Sequence, residues 1–157
     1  GCAIAYSREG SPLDTGGGIF RALPLLGDEP FVTLNADVWT DYPLENLISI
    51  FKQRKCRLAH LVLATNPPQH LTGDFYLHDD LVSEAGEGGK LTLSGISLID
   101  PALFANCSDG VFSIVPLLKR AMGQGKVSGE HYGGRWFDIG TPERLREINE
   151  LVASNFK

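Results

Sequence analysis

Short apolar runs rich in β-branched and aromatic residues alternate along this chain with segments of helical periodicity. Residues 31–35 and 58–65 are apolar runs of strand length, and residues 2–7 open the chain with another. Residues 43–53 and 142–152 carry apolar side chains three and four positions apart, as one face of a helix does. Because strands that alternate with helices build α/β sheets with parallel neighbours, the pattern predicts an α/β fold with a mainly parallel sheet.

The size and composition of the chain limit the class of protein. Its 157 residues are 43% hydrophobic and 21% charged, which predicts a single domain over residues 1–157 and excludes a disordered chain. No apolar run approaches the roughly 20 residues of a membrane helix, so we expect no membrane partner. The net charge of −5 disfavours a nucleic-acid partner, since phosphate backbones are bound by basic surfaces.

The cysteines indicate a compartment. Cys2, Cys56 and Cys107 are far apart in sequence, odd in number and without a CxxC pair. This pattern predicts buried free thiols in a reducing compartment, rather than a disulfide scaffold or a zinc site. The cytoplasm is therefore the expected location.

A glycine-rich stretch is the first candidate for a binding site. Residues 13–18 read Leu-Asp-Thr-Gly-Gly-Gly and lead into a helical segment. Consecutive glycines let a backbone approach a flat or anionic ligand, and a helix N-terminus favours negative charge. The stretch has neither the Gly-Lys-Ser/Thr of a Walker A loop nor the G-x-G-x-x-G spacing. A turn that needs positive φ values explains the run as well, so both interpretations stay open.

Two aspartates follow apolar strand-like segments and form the second candidate. Asp37 comes directly after the run at residues 31–35, and Asp138 lies in residues 136–142, ahead of a helix capped by Thr141. In open α/β sheets ligands bind beyond strand ends, and Mg²⁺ commonly takes one or two protein carboxylates. A structural role for either aspartate is the alternative. His60, inside an apolar strand, is expected to be a core histidine rather than a ligand.

Taken together and in this order, four motifs resemble the sugar-1-phosphate nucleotidyltransferase family. They are residues 12–18, 34–39, 93–97 and 136–143, and the likeness covers almost the whole chain. The amino-acid sequences of residues 35–42 and 125–132 most resemble the uridylyltransferase branch that acts on N-acetylmuramate 1-phosphate. The resemblance implies a three-layer, Rossmann-like nucleotide-diphospho-sugar transferase fold. It also implies an enzyme that joins a nucleoside triphosphate, UTP in this branch, to a sugar 1-phosphate and releases pyrophosphate.

The resemblance also implies roles for particular residues. Asp37 and Asp138 would be the catalytic carboxylates and would hold Mg²⁺ between the two phosphate groups. The nucleotide would lie against Thr15, Gly16 and Gly17. The sugar would lie against Asn35 and Gly95, and Arg135 would pair with the carboxylate of a muramyl group.

The chain also departs from the family pattern. Relatives carry a sugar-binding Glu after a Gly in the region where this chain reads Gly110-Val111-Phe112-Ser113, and this loss fits a sugar with a bulky 3-O substituent. No Gly-x-Gly-x-Arg or Pro-Lys-Pro is present, and the chain starts at Gly1 inside a strand-like run. We therefore expect an N-terminally truncated domain that is inactive alone.

Other functions stay open on the sequence alone. The substrates could be GTP with mannose 1-phosphate or another hexose 1-phosphate pair, and a non-catalytic nucleotide-sugar-binding domain is the rival of another class. The sequence does not predict the oligomeric state.

Overall fold

The computed structural model describes residues 2–53 and 57–155, so Gly1 and Cys56 lie outside the described residues. The helices described are α1 (Asp14–Leu26), α2 (Glu45–Lys52), α3 (Val115–Met122) and α4 (Pro142–Asn155), with a 3₁₀ turn at Pro101–Phe104. The strands described are β1 (Phe31–Leu34), β2 (Val38–Thr40), β3 (Ala59–Ala64), β4 (Tyr76–His78), β5 (Leu81–Ser83), β6 (Thr92–Ile99), β7 (Val127–Tyr132) and β8 (Trp136–Asp138). They form a six-stranded sheet in the order β1-β6-β3-β7-β5-β4 and a two-stranded sheet of β2 and β8.

The central strand β3 shows why the predicted layers form. Every residue of β3 is buried, so both faces of the sheet are covered. Leu61 and Leu63 pack with the side chains of α1, α3 and the 3₁₀ turn, whereas Val62 packs on the opposite side with Leu47 of α2. Burying one such side chain is worth about 1.5–3 kcal/mol, and strand alternation divides that gain between two helical layers. The α/β, three-layer prediction is confirmed.

The prediction of a mainly parallel sheet is wrong. In the described part of the chain β3 and β7 are parallel, whereas the other strand pairs are antiparallel. The long strand β6 lies between β1 and β3 and runs opposite to both. Hydrophobic periodicity reports which face a residue occupies but not the direction of its strand, so the alternation of elements could not show this.

Two predicted strands differ from the structure. The run at residues 31–35 was expected to be buried, yet β1 is a half-buried strand in which Val32 and Leu34 are 40% and 50% exposed. Among the described strands β1 pairs with β6 alone, which leaves its other edge open. Residues 2–7 form no strand, and Cys2 is exposed rather than buried. An apolar run therefore predicted the extended segment at β1 but not its environment.

The glycine run lies inside α1 and not in a turn before it. None of its glycines has a positive φ, so the turn interpretation is wrong. Gly16 and Gly17 are buried where α1 crosses residues 110–112, and the Gly17 amide donates to the carbonyl oxygen of Phe112 at 3.0 Å. A Cβ on Gly17 would overlap the carbonyl oxygen of Gly110. The glycines permit a close approach, but to this chain's own backbone.

Among the described residues, no helix has both the length and the apolar character needed to span a bilayer.

A pair of glycine substitutions tests the packing of α1. Gly17→Ala should lower the free energy of unfolding by about 2 kcal/mol or more, since the new methyl group meets rigid backbone. Gly18→Ala, on the same helix, meets the flexible end of the Glu9 side chain at 2.6 Å and gains helix propensity, so it should change stability by less than about 1 kcal/mol. Urea unfolding measures both, and equal losses would contradict this packing.

Candidate functional site

The β2–β8 pair brings the two predicted aspartates together. Asp37 immediately precedes β2, and Asp138 is the last residue of β8, opposite Val38 in the antiparallel register. The Ile139 amide donates to the carbonyl oxygen of Asp37 at 2.8 Å, which extends the pairing by one hydrogen bond. Two carboxylates that are far apart in sequence therefore share one end of a short sheet.

Gly140 shows how close the two carboxylates lie. A Cβ built on this glycine would stand 3.0 Å from Asp138 Oδ1 and 3.3 Å from Asp37 Oδ2. Asp138 is held at both oxygens, because the Gly140 amide donates to Oδ1 at 2.9 Å and Arg144 Nη1 donates to Oδ2 at 2.6 Å. No hydrogen bond to the Asp37 carboxylate is found within residues 2–53 and 57–155. One carboxylate is fixed, and the other is available to a ligand.

The donor atoms at this point fit a hard divalent cation. The described residues contain no group of three or more His, Cys, Asp or Glu side chains suited to a metal. Two carboxylates with a shared open position match the ligand set of Mg²⁺, which keeps its other positions for phosphate oxygens and water. Any metal here would therefore complete its coordination with water or with the oxygens of a phosphorylated ligand.

Asn35 and Gly95 form the adjacent wall of the site. Gly95 has φ = 77°, and a Cβ there would lie 2.8 Å from the Asn35 side chain. The backbone N–H of Asn35 donates to the Gly95 carbonyl oxygen at 3.0 Å, which fastens the end of β1 to β6. A cavity of about 210 Å³, called here the central cavity, is lined by these two residues and by Asp37 and Asp138. Four predicted site residues are thus gathered in one place.

Thr15 lies in a neighbouring cavity. This α1 cavity has a volume of about 490 Å³ and shares Asn35 and Gly95 with the central cavity. Thr15 lines it, and its hydroxyl accepts a hydrogen bond from the Ile114 amide at 3.3 Å. Gly16 and Gly17 do not belong to its lining, since they face residues 110–112. Of the predicted nucleotide residues, the structure places only Thr15 on an open surface next to the site.

Arg135 lies apart from these cavities. Its Nε donates to Asp41 Oδ2 at 2.9 Å, and its guanidinium lies 5.9 Å from the centre of the Trp39 ring. The hydroxyl of Tyr132 and the Arg135 guanidinium hold the pKa of Asp41 below its usual value. Burial and the neighbouring Asp41 raise the pKa of Tyr132 to about 12. Arg135 therefore fastens the β2–β8 pair and is not brought together with Asp138.

A second polar cluster ties β2 to the large sheet. The Tyr42 hydroxyl donates to Glu130 Oε1, and His60 Nδ1 lies 2.9 Å from the Ser128 hydroxyl. His60 is buried as predicted, but its Nε2 has no hydrogen-bond partner among the described residues and lies 3.7 Å from Glu130 Oε1. The His60 ring and the Tyr42 hydroxyl hold the pKa of Glu130 below its usual value, while burial and Glu130 raise that of Tyr42.

Sequence reasoning missed Arg144. This residue lies in the first turn of α4, where Thr141 caps the helix by accepting from the Arg144 amide at 3.3 Å. Its guanidinium reaches back to Asp138 and also lines a third cavity of about 790 Å³, called here the α4 cavity. The sequence carries one signal for this residue: an arginine six positions after Asp138, just beyond a helix start capped by Thr141. The first turn of such a helix folds back towards the end of the preceding strand.

Asn35 and Asp37 lie beyond the carboxyl end of β1, and ligands of open α/β sheets bind beyond such strand ends. Comparison with known proteins identifies the class. The chain is 39% identical to N-acetylmuramate α-1-phosphate uridylyltransferase of Neisseria meningitidis serogroup B, over 98% of this chain and 69% of the relative. It is 33% identical to the enzyme of the same name from Caulobacter vibrioides, over 83% of this chain and 58% of the relative. No protein-family model matches.

Solved structures agree on the fold. A UDP-glucose pyrophosphorylase solved with UDP-glucose superposes with a TM-score of 0.77, covering 98% of this chain and 67% of that one at 16% identity. Together with the sequence relatives, this places the chain: it belongs to the sugar-1-phosphate nucleotidyltransferases, a family of enzymes with a Rossmann-like fold.

The Glu130 cluster gives a prediction about pH. Because the pKa of Glu130 is lowered in the folded protein, its contribution to stability is present above the usual carboxyl pKa and is lost as the pH falls through the lowered value. Glu130→Gln keeps an acceptor for Tyr42 but cannot titrate. Below about pH 4 the free energy of unfolding of this variant should fall less than that of the wild type. The difference between the two falls should be under about 1 kcal/mol, because the Glu130 side chain is 35% exposed. Parallel curves of unfolding free energy against pH would contradict this.

Proposed function

We propose that the protein transfers a uridylyl group from UTP to N-acetylmuramate 1-phosphate and releases pyrophosphate. The observation that carries the proposal is the shared position of the Asp37 and Asp138 carboxylates in the lining of the central cavity, with Asn35 and Gly95 in the adjacent wall. The two relatives reported above, 39% and 33% identical over 98% and 83% of this chain, are both named for this reaction, which supports this choice of base and sugar.

In this reaction the substrate supplies the nucleophile. An oxygen of the sugar phosphate forms a bond to the α-phosphorus of UTP, and the bond from that phosphorus to its bridging oxygen breaks. The electron pair of the broken bond leaves with pyrophosphate. The chain therefore needs no activated serine or cysteine, and its part is to align two anions that repel each other.

The proposed roles follow the positions of the side chains. Asp37 and Asp138 would hold Mg²⁺, which when bound supplies the positive charge that offsets the phosphate oxygens. Arg144 and the Gly140 amide keep Asp138 in place through its two oxygens. Asn35 and Gly95 would contact the sugar, and the absence of a side chain at Gly95 lets the Asn35 side chain lie close against it in this wall.

The nucleotide would enter from the α1 cavity. Thr15 is the proposed contact for the nucleoside, while Gly16 and Gly17 act indirectly by setting the position of α1. Arg135 is proposed to fasten β2 and β8 through Asp41, and its contact with the sugar stays a prediction. The cytoplasmic location stays a prediction that rests on the cysteines.

Removing either carboxylate tests the proposal. In full-length protein with UTP, N-acetylmuramate 1-phosphate and Mg²⁺, Asp37→Asn and Asp138→Asn should each lower kcat/KM about 100-fold or more, since metal-ion charge stabilisation is worth several kcal/mol. Asp28→Asn removes an exposed carboxylate from the loop after α1 and serves as the matched control. Pyrophosphate release measures all three.

The outcomes separate the alternatives. Excess EDTA should abolish turnover, and added Mg²⁺ should restore it. Wild-type activity in both aspartate variants would contradict the proposed site. A preference for GTP with mannose 1-phosphate in a panel of substrates would keep the reaction type but overturn the proposed base and sugar.

A further inference from the structure

The loop between β3 and β4, residues 65–75, forms part of the wall of the central cavity. Its polar contribution to the lining is His70, whose side chain is 38% exposed and so within reach of a ligand. Asn66 fixes the loop to the start of β6. The Asn66 side chain donates to the Lys90 carbonyl oxygen at 2.8 Å and accepts from the Thr92 hydroxyl at 2.8 Å. His70 is therefore carried by a loop that is fastened to the sheet.

A carboxylate orients the His70 ring. His70 Nε2 lies 3.0 Å from Asp74 Oδ1, and the Leu93 amide of β6 donates to Asp74 Oδ2 at 2.8 Å. An ionised carboxylate only accepts hydrogen bonds, so the pairing with Asp74 places a hydrogen on Nε2. Nδ1 has no hydrogen-bond partner within residues 2–53 and 57–155. One ring nitrogen thus holds the ring, and the other is left for a ligand.

Most of the other hydrogen-bond donors in the cavity wall are engaged within the chain. The hydroxyl groups of Thr92 and Ser94 and the indole N–H of Trp136 all donate to oxygen atoms of this protein. Among the described residues no arginine or lysine lines the central cavity. The side-chain nitrogens left for a ligand are those of Asn35 and His70, and of these two His70 is the one that can carry a positive charge.

His70 does not complete a metal site of three side chains. The described part of the chain holds no group of three His, Cys, Asp or Glu side chains suited to a metal, so His70 does not join Asp37 and Asp138 in one. A contact of His70 in this cavity therefore goes to the substrate and not to the cation.

We propose that His70 Nδ1 donates a hydrogen bond to the phosphate of the sugar 1-phosphate while Nε2 donates to Asp74. This inference rests on the proposed function and adds to it a substrate contact that lies outside the four sequence motifs. A hydrogen bond between a charged ring and a phosphate oxygen is stronger than one between neutral groups, and the Asp74 carboxylate offsets the charge of the ring from behind. Asp74 is then a positioning residue for His70.

Two substitutions of His70 separate the roles of its two nitrogens. Glutamine places an amide near the position of Nε2, whereas asparagine places one near the position of Nδ1. His70→Gln in the full-length protein should therefore keep the pairing with Asp74 but weaken binding of the sugar 1-phosphate roughly 10- to 100-fold, since it loses a hydrogen bond to a charged group. His70→Asn should retain most of the affinity. His78→Asn is the matched control, because the His78 side chain is 90% exposed and also lies beside an aspartate.

Two sugar phosphates identify the group that His70 contacts. N-acetylmuramate 1-phosphate and N-acetylglucosamine 1-phosphate carry the same phosphate, so His70→Gln should raise the calorimetric Kd of both by the same factor. A loss with one sugar alone would overturn the phosphate contact. Greater or equal loss in His70→Asn would also overturn it, since His70 would then serve only to hold the loop through Asp74.

Nitrogen NMR of the His70 ring gives a readout that does not depend on activity. In the complex of the wild type with Mg²⁺ and the sugar 1-phosphate, Nδ1 should carry a hydrogen, and a bare Nδ1 in that complex would overturn the contact. If Nδ1 carries this hydrogen but UTP is not turned over, the proposed function fails and the contact stands. If the wild type binds neither sugar phosphate, both fail.

Discussion

The antiparallel pairing of β2 with β8 is the constraint on which the candidate site depends. Each strand has only three residues, and the two come from distant parts of the chain. Their pairing sets Asp37 beside Asp138, and the Trp136 indole N–H fixes β8 to the large sheet by donating to the Ser94 carbonyl oxygen at 2.9 Å. Because so short a pair is marginal alone, its position depends on contacts to the rest of the protein.

Those contacts come from polar side chains at the far end of the pair. Asp41 accepts hydrogen bonds from Tyr132 and from Arg135, and Tyr42 donates to Glu130. Tyr132 and Glu130 both belong to β7, the strand that runs parallel to β3 in the centre of the sheet. The two carboxylates are therefore tied to the core through charged and hydroxyl groups, at the cost of burying Glu130 in part.

Close backbone approaches shape the rest of the site. Gly95 leaves room for Asn35, and Gly140 leaves the space between the two carboxylates open. A side chain at Gly140 would fill the space that the proposed cation needs, whereas a side chain at Gly95 would displace Asn35. The glycines of α1 act at a distance instead, since Gly17 lets the helix contact the Gly110 carbonyl and so sets the wall that carries Thr15.

Local sequence patterns predicted the elements well but not their partners. The helix at Glu45–Lys52 and the buried strand at Ala59–Ala64 follow from apolar spacing, and the α4 cap at Thr141 follows from residue type. Strand direction, the burial of β1 and the pairing of Arg135 with Asp41 depend on contacts between distant segments. Asp37 and Asp138 were predictable as site residues because their motifs match a family, although their roles remain proposals.

The central claim is that Asp37 and Asp138 together hold a divalent cation against the substrate phosphates. The most direct measurement is anomalous diffraction from crystals of the protein grown with Mn²⁺, in place of Mg²⁺, and a non-hydrolysable UTP analogue. The account predicts a peak about 2.1 Å from an oxygen of each carboxylate, with phosphate oxygens completing the coordination. A bound analogue with no peak at these two carboxylates, or a peak held by other side chains, would contradict it.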